Sequence, residues 1–243
     1  MHEIAAAGFS AGVDAYERGR PEYPRQIVAF VAERLAIRAD SDVLDLAAGT
    51  GKFTRALLST GARVVAVEPL PAMRERLGNV PVVAATAEAV PLADASFDAV
   101  TVAQAFHWFD APRACAEIAR VLRPGGGLAV VWNERDDSVP WVAELDRIFE
   151  WPSLRPYPEG EDWAAVLDAS GCFGPASHQR FTWAQAIDAD GLVARVLSTS
   201  YVATWPEDRQ GEVAQRVRAH VEDFPARFEL PHVTNLYWCT KPF

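Results

Sequence analysis

The stretch Val43-Leu44-Asp45-Leu46-Ala47-Ala48-Gly49-Thr50-Gly51 decides how the rest of the chain is interpreted. It opens as a short, mostly apolar run of the kind that fills a buried strand, and it ends in small residues and glycines. A helical pattern follows over residues 52–58, and a second strand pattern follows over residues 63–67. Strand, helix and strand in this order predict a βαβ unit of a parallel sheet.

The same alternation extends in both directions from this stretch. We predict a helix over 72–77, a strand over 82–84, a strand over 97–102, a helix over 112–122 and a strand over 127–132. Upstream, an amphipathic helix follows Pro24, and about one helical turn is predicted over 13–18. Crossover helices must cover both faces of a buried parallel sheet, so residues 40–135 are predicted to form a doubly wound α/β core.

Beyond Asn133 the alternation stops and tryptophan becomes frequent. Residues 161–169 and 207–221 have helical patterns, and residues 232–240 alternate like a closing strand. We therefore predict a helical, tryptophan-rich C-terminal cap. The chain is divided accordingly into an N-terminal lid arm and helix (1–39), a ligand-binding core (40–135), and a cap insertion with closing strands of the same domain (136–243).

Composition excludes several classes of partner. Half of the 243 residues are apolar and the formal charge is −10, with no basic run of the kind that holds nucleic acid. No apolar run approaches the ~18 residues of a membrane span, and Met1-His2-Glu3 does not begin a signal peptide. We expect a cytoplasmic protein, a monomer or homodimer, that acts on a small molecule without nucleic acid or membrane.

Metal and disulfide chemistry are also not expected. The three cysteines lie more than fifty residues apart, so they form no CxxC motif. Acidic and histidine residues show no metal-ligand spacing, so no metal site is predicted.

The glycine-rich turn is compatible with three cofactor classes. A phosphate-binding loop of the form GxxxxGK[ST] is excluded by Leu46 and Phe53. A dinucleotide fingerprint would place the branched Thr54 where its third glycine belongs. S-adenosylmethionine enzymes fit better, because Asp45 precedes the glycines and a buried carboxylate needs a partner, such as a ligand amino group or water.

Six segments in order now carry a resemblance: VLDLAAGTGKFT, VVAVEP, ATAEAVPL, SFDAV, QAFHWF and RVLRPGGGLAVVW. Together they resemble a class I S-adenosylmethionine-dependent methyltransferase, closest to the small-molecule subgroup that includes trans-aconitate methyltransferase-like proteins. The resemblance implies a Rossmann-like, mostly parallel seven-stranded sheet with an antiparallel last strand. It also implies transfer of a methyl group to a small-molecule oxygen, possibly a carboxylate, or carbon, leaving S-adenosylhomocysteine.

Two alternatives stay open. The chain could bind S-adenosylmethionine without transferring its methyl group, because the sequence does not fix a catalytic base and the C-terminal lobe is divergent. Less favoured is an NAD-dependent oxidoreductase, which would rest on the glycine turn and Glu68 alone.

The resemblance also implies which residues hold the cofactor. The methionine end is assigned to Asp45 and to the backbone of Ala47, Gly49 and Gly51, with Ala47 standing where the family has its first glycine. Glu68, at the end of the second strand, is assigned to the ribose hydroxyls.

The adenine is assigned to residues after the second and third strands. Leu70 and Met73 would flank the ring, and the Thr86 side chain and Ala87 amide would meet its edge. Many relatives carry an aspartate in place of Thr86.

The remaining cofactor residues and the acceptor site are assigned on three segments. Ala103 and Gln104, after the fourth strand, would meet the cofactor's ammonium, and Arg20 and Tyr23 of the arm would close over the cofactor. His107 is the candidate catalytic base, since histidine titrates near neutral pH. The candidate substrate contacts are Trp108, Trp132 and Asn133, and the alternative for each of these, as for His107, is packing.

Overall fold

The computed structural model describes residues 13–154, 156–158 and 161–243. The part of the predicted arm before residue 13 lies outside the described residues.

Seven strands and a set of mostly short helices make up the described chain. The strands are β1 (Asp42–Leu46), β2 (Arg63–Val67), β3 (Val82–Val83), β4 (Phe97–Ala103), β5 (Leu122–Arg135), β6 (Ser177–Ile187) and β7 (Phe228–Thr240). The first five helices are α1 (Val13–Gly19), α2 (Arg25–Arg34), α3 (Lys52–Leu58), α4 (Pro71–Arg74) and α5 (Ala111–Val121). The others are α6 (Pro140–Ile148), α7 (Trp151–Leu154), α8 (Trp163–Ala169), α9 (Ala189–Leu197) and α10 (Glu207–His220), with 3₁₀ turns at Phe106–Trp108 and Val202–Thr204.

The strands form one sheet in the order β3-β2-β1-β4-β5-β7-β6. Strands β1 to β5 pair in parallel, and Asp45 on β1 lies opposite Ala66 on β2 and Thr101 on β4. The last strands are antiparallel. The Gly125 amide donates to the Lys241 carbonyl at 3.0 Å, and the Lys241 amide donates to the Gly126 carbonyl at 2.8 Å. The predicted fold class is confirmed.

Element bounds agree best where the hydrophobic period is strongest. β2 and α3 have the predicted bounds, β1 and β4 differ by one residue at one end, and α5 begins and ends one residue early. The prediction of a helix to residue 77 was wrong, because α4 ends at Arg74 and the chain continues in i→i+3 turns, with Leu77 N donating to Arg74 O at 3.1 Å. The sequence analysis did not find α6, α7, α9 or β6.

The chain packs as two compact units. The core unit consists of residues 22–132, the described part of 160–181, and 235–243. The helical unit consists of the described residues of 1–21 and 133–159, together with 182–234. The boundaries predicted at residues 39 and 135 stay a prediction.

The helical unit has an apolar core of its own. Buried side chains from α6, α9 and α10 fill it, and they include Leu145, Phe149, Leu192, Val196 and Val217. In α6 and at its end, Val142, Leu145 and Phe149 repeat at helical spacing, so one face of the helix is buried.

Within the helical unit, α1 packs closely on α9 at Gly19. A Cβ atom added to Gly19 would lie 2.5 Å from the Ala194 carbonyl oxygen and 2.6 Å from the Arg195 Cα atom. Both neighbours are backbone atoms of a helix and cannot move aside cheaply, so only glycine fits.

Substitution of Gly19 should therefore destabilise the protein. We expect Gly19→Ala to lower the free energy of unfolding by about 2–4 kcal/mol, as overpacking against backbone does. The matched control is Gly211→Ala in α10, where an added Cβ meets no atom within 4 Å, and which should stabilise by about 0.5–1 kcal/mol. Urea denaturation of the three proteins measures both effects, and equal stabilities would show that the helices separate easily.

Candidate active site

The turn after β1 has an unusual backbone. Ala47, Gly49 and Gly51 all have positive φ angles, of 56°, 59° and 85°. The Gly51 amide closes the turn on the Ala48 carbonyl at 2.9 Å, and α3 begins at Lys52. An alanine in the left-handed region costs roughly 1 kcal/mol, which explains why a glycine is the family's usual residue at the position of Ala47.

Asp45 is buried at the end of β1 between two hydroxyl groups. Its side-chain oxygens accept from Thr54 Oγ1 at 2.5 Å and from Thr101 Oγ1 at 2.9 Å, and the residue is 1% exposed. Burial raises the pKa of Asp45 to about 6, the two hydrogen bonds oppose the rise, and the negative charge of Glu68 adds to it.

These bonds change the interpretation of two residues. The sequence analysis expected a ligand amino group or water to satisfy Asp45, whereas two threonine hydroxyls already do so. Thr54, which replaces the third glycine of a dinucleotide fingerprint, is one of those donors. A contact between Asp45 and the cofactor stays a prediction.

Glu68 is a second buried carboxylate, and its hydrogen bonds stabilise the glycine-rich turn. Its Oε2 accepts from the Gly49 amide at 2.9 Å, and its Oε1 accepts from the Leu70 amide at 2.8 Å. Burial raises its pKa, while the two amides and the charge of Arg74 oppose the rise. Each carboxylate oxygen can accept more than one hydrogen bond, so Glu68 retains capacity for ribose hydroxyls.

The residues assigned to the adenine lie in the same unit and differ in exposure. Met73 and Ala87 are buried, Leu70 is partly buried, and Thr86 is exposed. Thr86 forms an isolated antiparallel bridge with Ala89, which makes the chain turn at this point. The adenine contacts stay predictions.

The chain also turns sharply after β4. Gln104 has a φ of 60°, and its amide donates to the Val131 carbonyl at 2.8 Å. Gln104 directly follows Ala103, the last residue of β4, so the assigned ammonium contacts lie at the carboxyl end of a central strand.

His107 follows in the 3₁₀ turn and contacts Trp132. The indole Nε1–H of Trp132 donates to His107 Nδ1 at 3.3 Å. Because an indole nitrogen is only a donor, Nδ1 is the accepting nitrogen, and the neutral ring carries its proton on Nε2. In this arrangement the indole engages the lone pair of Nδ1, so His107 does not present that nitrogen as a base.

The candidate substrate residues already have protein partners. The ring of Trp132 is 1% exposed and stacks on Trp163 at 4.7 Å between centroids, while Trp108 lies 4.5 Å from the ring of His107. Asn133, in the helical unit, accepts a hydrogen bond from Thr234 Oγ1 at 2.5 Å. Their contacts with substrate stay predictions.

The two assigned arm residues lie in different units. In the core unit, Tyr23 packs edge-on against Phe53 of α3 at 4.7 Å. In the helical unit, the guanidinium of Arg20 lies 5.2 Å from the centre of the Tyr16 ring. Their cofactor contacts stay predictions.

Sequence analysis missed the ion pairs that tie the arm to the turn. Glu22 accepts from Lys52 Nζ at 2.9 Å and pairs with Arg55 at 3.5 Å, and Arg55 donates to the Thr50 carbonyl at 2.8 Å. One feature of the sequence could have indicated these ion pairs. Lys52, one of two lysines in the chain, directly follows the glycines of the turn.

The core unit fits an adenosyl amino-acid cofactor. Glu68 provides buried acceptors for hydroxyl groups, and the buried hydroxyl of Thr50 in the turn has no hydrogen-bond partner among the described residues. A Cβ added to Gly49 would meet no atom within 4 Å, so open space adjoins the turn. Open α/β proteins bind ligands at the carboxyl end of the parallel sheet, where polar groups adjoin open space.

Comparison with known proteins identifies a family for this chain. A family model described as a methyltransferase domain matches residues 44–130. An uncharacterized methyltransferase of Mycobacterium tuberculosis is 40% identical over 93% of this chain and 92% of its own length. An uncharacterized methyltransferase-like protein of Schizosaccharomyces pombe is 35% identical over 96% of this chain and 91% of its own length. The solved structure of the YcgJ protein of Bacillus subtilis shares the fold, with a TM-score of 0.58 and 22% identity over 90% of this chain and all of that one.

The chain belongs to the class I S-adenosylmethionine-dependent methyltransferase family. It is an enzyme, and S-adenosylmethionine is its cofactor. Membership in this family rules against the nicotinamide alternative. The trans-aconitate subgroup stays a prediction.

Two features of the described residues concern membranes and metal ions. None of the described helices has the length and apolar character needed to cross a membrane. Across residues 13–154, 156–158 and 161–243, histidine, cysteine and acidic side chains nowhere cluster in threes as a metal ion would require.

The raised pKa of Asp45 predicts how stability depends on pH. The folded protein binds the Asp45 proton more tightly than the unfolded chain, whose value is 3.8, so stability should fall as pH rises from about 4 through about 6. The change attributable to Asp45 is about 3 kcal/mol at most. Asp45→Asn should remove this part of the pH dependence in urea unfolding between pH 4 and 7.

The control for this experiment is Asp223→Asn, at an exposed carboxylate. It should leave the pH dependence unchanged within roughly 0.5 kcal/mol. A wild-type slope that persists in Asp45→Asn would show that Asp45 does not titrate in this range.

Proposed function

We propose that the enzyme methylates a small molecule at an oxygen or carbon atom, with an oxygen that is already ionised as the favoured acceptor. The observation that carries this proposal is the bond from Trp132 to His107 Nδ1. A proton on Nε2 suits hydrogen bonding to an acceptor oxygen, whereas an alcohol or carbon acid would need a base.

Methyl transfer asks little of the protein beyond alignment. Bound S-adenosylmethionine supplies an electrophilic methyl group on a sulfonium, which an acceptor attacks in line. The chain's residues hold the two reactants in register and exclude water. In this proposal, Glu68 and the glycine turn hold the cofactor, and His107 orients the acceptor.

An acceptor oxygen that is already ionised needs no catalytic base from the core unit. A carboxylate is already ionised at neutral pH, so no proton has to be removed before the methyl group moves. Acidic phenols and enols are also partly ionised at neutral pH. The net charge of −10 supports a small acceptor over a nucleic acid, which needs a basic surface.

The roles of Glu68 and His107 can be separated by measurement. Glu68→Gln loses a charge and matches one of its two backbone amides poorly, so we expect S-adenosylhomocysteine to bind about 10- to 100-fold more weakly in titration calorimetry. His107→Ala should keep that affinity within about 2-fold while lowering kcat with an identified acceptor about 10- to 100-fold.

A second substitution tests the protonation state of His107. His107→Asn can donate through its amide, and it should recover part of the lost kcat if donation is the role of this residue. Equal loss of cofactor affinity in all three variants would make His107 structural. A pH profile in which activity needs a deprotonated His107 would contradict the donor role.

A further inference from the structure

Arg195 is a buried arginine whose charge the described residues do not neutralise. It lies on α9 in the helical unit and is 3% exposed. Its Nε and Nη1 atoms have no hydrogen-bond partner, and no ion pair involves this residue among the described residues. Buried guanidinium groups in folded proteins are normally paired with an acid or with several carbonyl groups.

The surroundings of Arg195 disfavour the positively charged form of its side chain. Burial lowers the pKa of Arg195, the positive charges of Arg20 and Arg135 lower it further, and the carboxylate of Asp146 acts in the opposite direction. Asp146 is itself engaged, because Arg135 Nε donates to its Oδ1 at 2.6 Å and both residues are buried. The hydrogen bond of Asp146 therefore goes to Arg135 and not to Arg195.

His232 is affected by the same excess of positive charge. Burial lowers the pKa of His232 to about 3, with Arg195 and Arg135 as further causes. Its ring nitrogens lie 3.1 Å from the Glu134 carbonyl oxygen and 3.2 Å from Gln185 Oε1, and the ring stacks on Trp183. His232 is neutral, so it adds no negative or positive charge to the cluster.

Local packing holds the cluster in place. Gly19 packs directly on the backbone of Ala194 and Arg195, which fixes α9 at this point. The Arg135 guanidinium lies 4.9 Å from the ring centre of Phe149 and 5.5 Å from that of Trp151. A buried cation with donors that lack a hydrogen-bond partner can bind the oxygens of an anion.

We propose that Arg195 binds the anionic group of a small molecule, either a carboxylate or a phosphate, with Arg135 and Arg20 adding positive charge to its surroundings. Both groups present oxygens that match the planar, multiple donors of a guanidinium. The anion site itself lies within the helical unit and is tested without cofactor or turnover.

The experiment measures the melting temperature and binding heat of the whole protein with two probes. Sodium malonate represents carboxylates and inorganic phosphate represents phosphates, each compared with sodium chloride at the same ionic strength. We expect at least one probe to raise the melting temperature of the wild type and to bind in titration calorimetry. A response to malonate alone identifies a carboxylate site, and a response to phosphate alone identifies a phosphate site.

The deciding variant is Arg195→Met, which keeps the length and apolar stem of the side chain. It should weaken binding of the active probe at least 10-fold, and without probe it should be as stable as the wild type or more stable, because an unpaired buried charge is gone. The matched control is Arg218→Met, at an exposed arginine that bonds to Asp190 at 2.9 Å, and it should keep full probe affinity.

Two results would overturn the proposal. One is a wild type that responds to neither probe beyond the chloride control, and the other is an Arg195→Met variant that binds the probe as the wild type does. If Arg195→Met does not fold, Arg195→Lys keeps the charge but loses the planar donors, and it should bind at least 5-fold more weakly. S-adenosylhomocysteine binding, measured on every variant, separates failure of this site from failure of the cofactor site.

Discussion

The buried carboxylate of Asp45 is the constraint on which the core unit depends. A carboxylate inside a sheet is tolerated only when donors surround it. Thr54 on α3 and Thr101 on β4 provide those donors, and Thr101 lies directly opposite Asp45 in the sheet. One side chain therefore holds a helix and a neighbouring strand in the register that forms the turn.

A second buried acid near Asp45 gives the site its electrostatic character. Asp45 and Glu68 are both buried, and the charge of Glu68 raises the pKa of Asp45. Two carboxylates at one sheet edge favour a ligand that carries positive charge. S-adenosylmethionine carries a sulfonium and an ammonium, whereas its product has lost the sulfonium charge. If both carboxylates face the cofactor, as the resemblance implies, their charge favours the reactant over the product.

Sequence patterns predicted what depends on local periodicity, and missed what depends on long-range packing. The βαβ core, β2 and α3 follow from apolar spacing and the glycine turn. The partner of Asp45 on β4 is 56 residues away, so no local pattern could identify it. In the helical unit, α9 carries an arginine where its apolar spacing would predict a buried hydrophobic residue, and the unmatched charge became visible only with its neighbours placed.

The absence of an assigned base is consistent with the chemistry proposed for this enzyme. A base is needed only when the acceptor arrives protonated, and a carboxylate does not at neutral pH. For an acceptor of that kind, a protein must supply donors that orient the oxygen and cations that balance its charge. His107, with its proton on Nε2, and Arg195, with its unsatisfied donors, are groups of these two types. The two observations come from different units and different physical causes, and each favours an anionic ligand in its own unit.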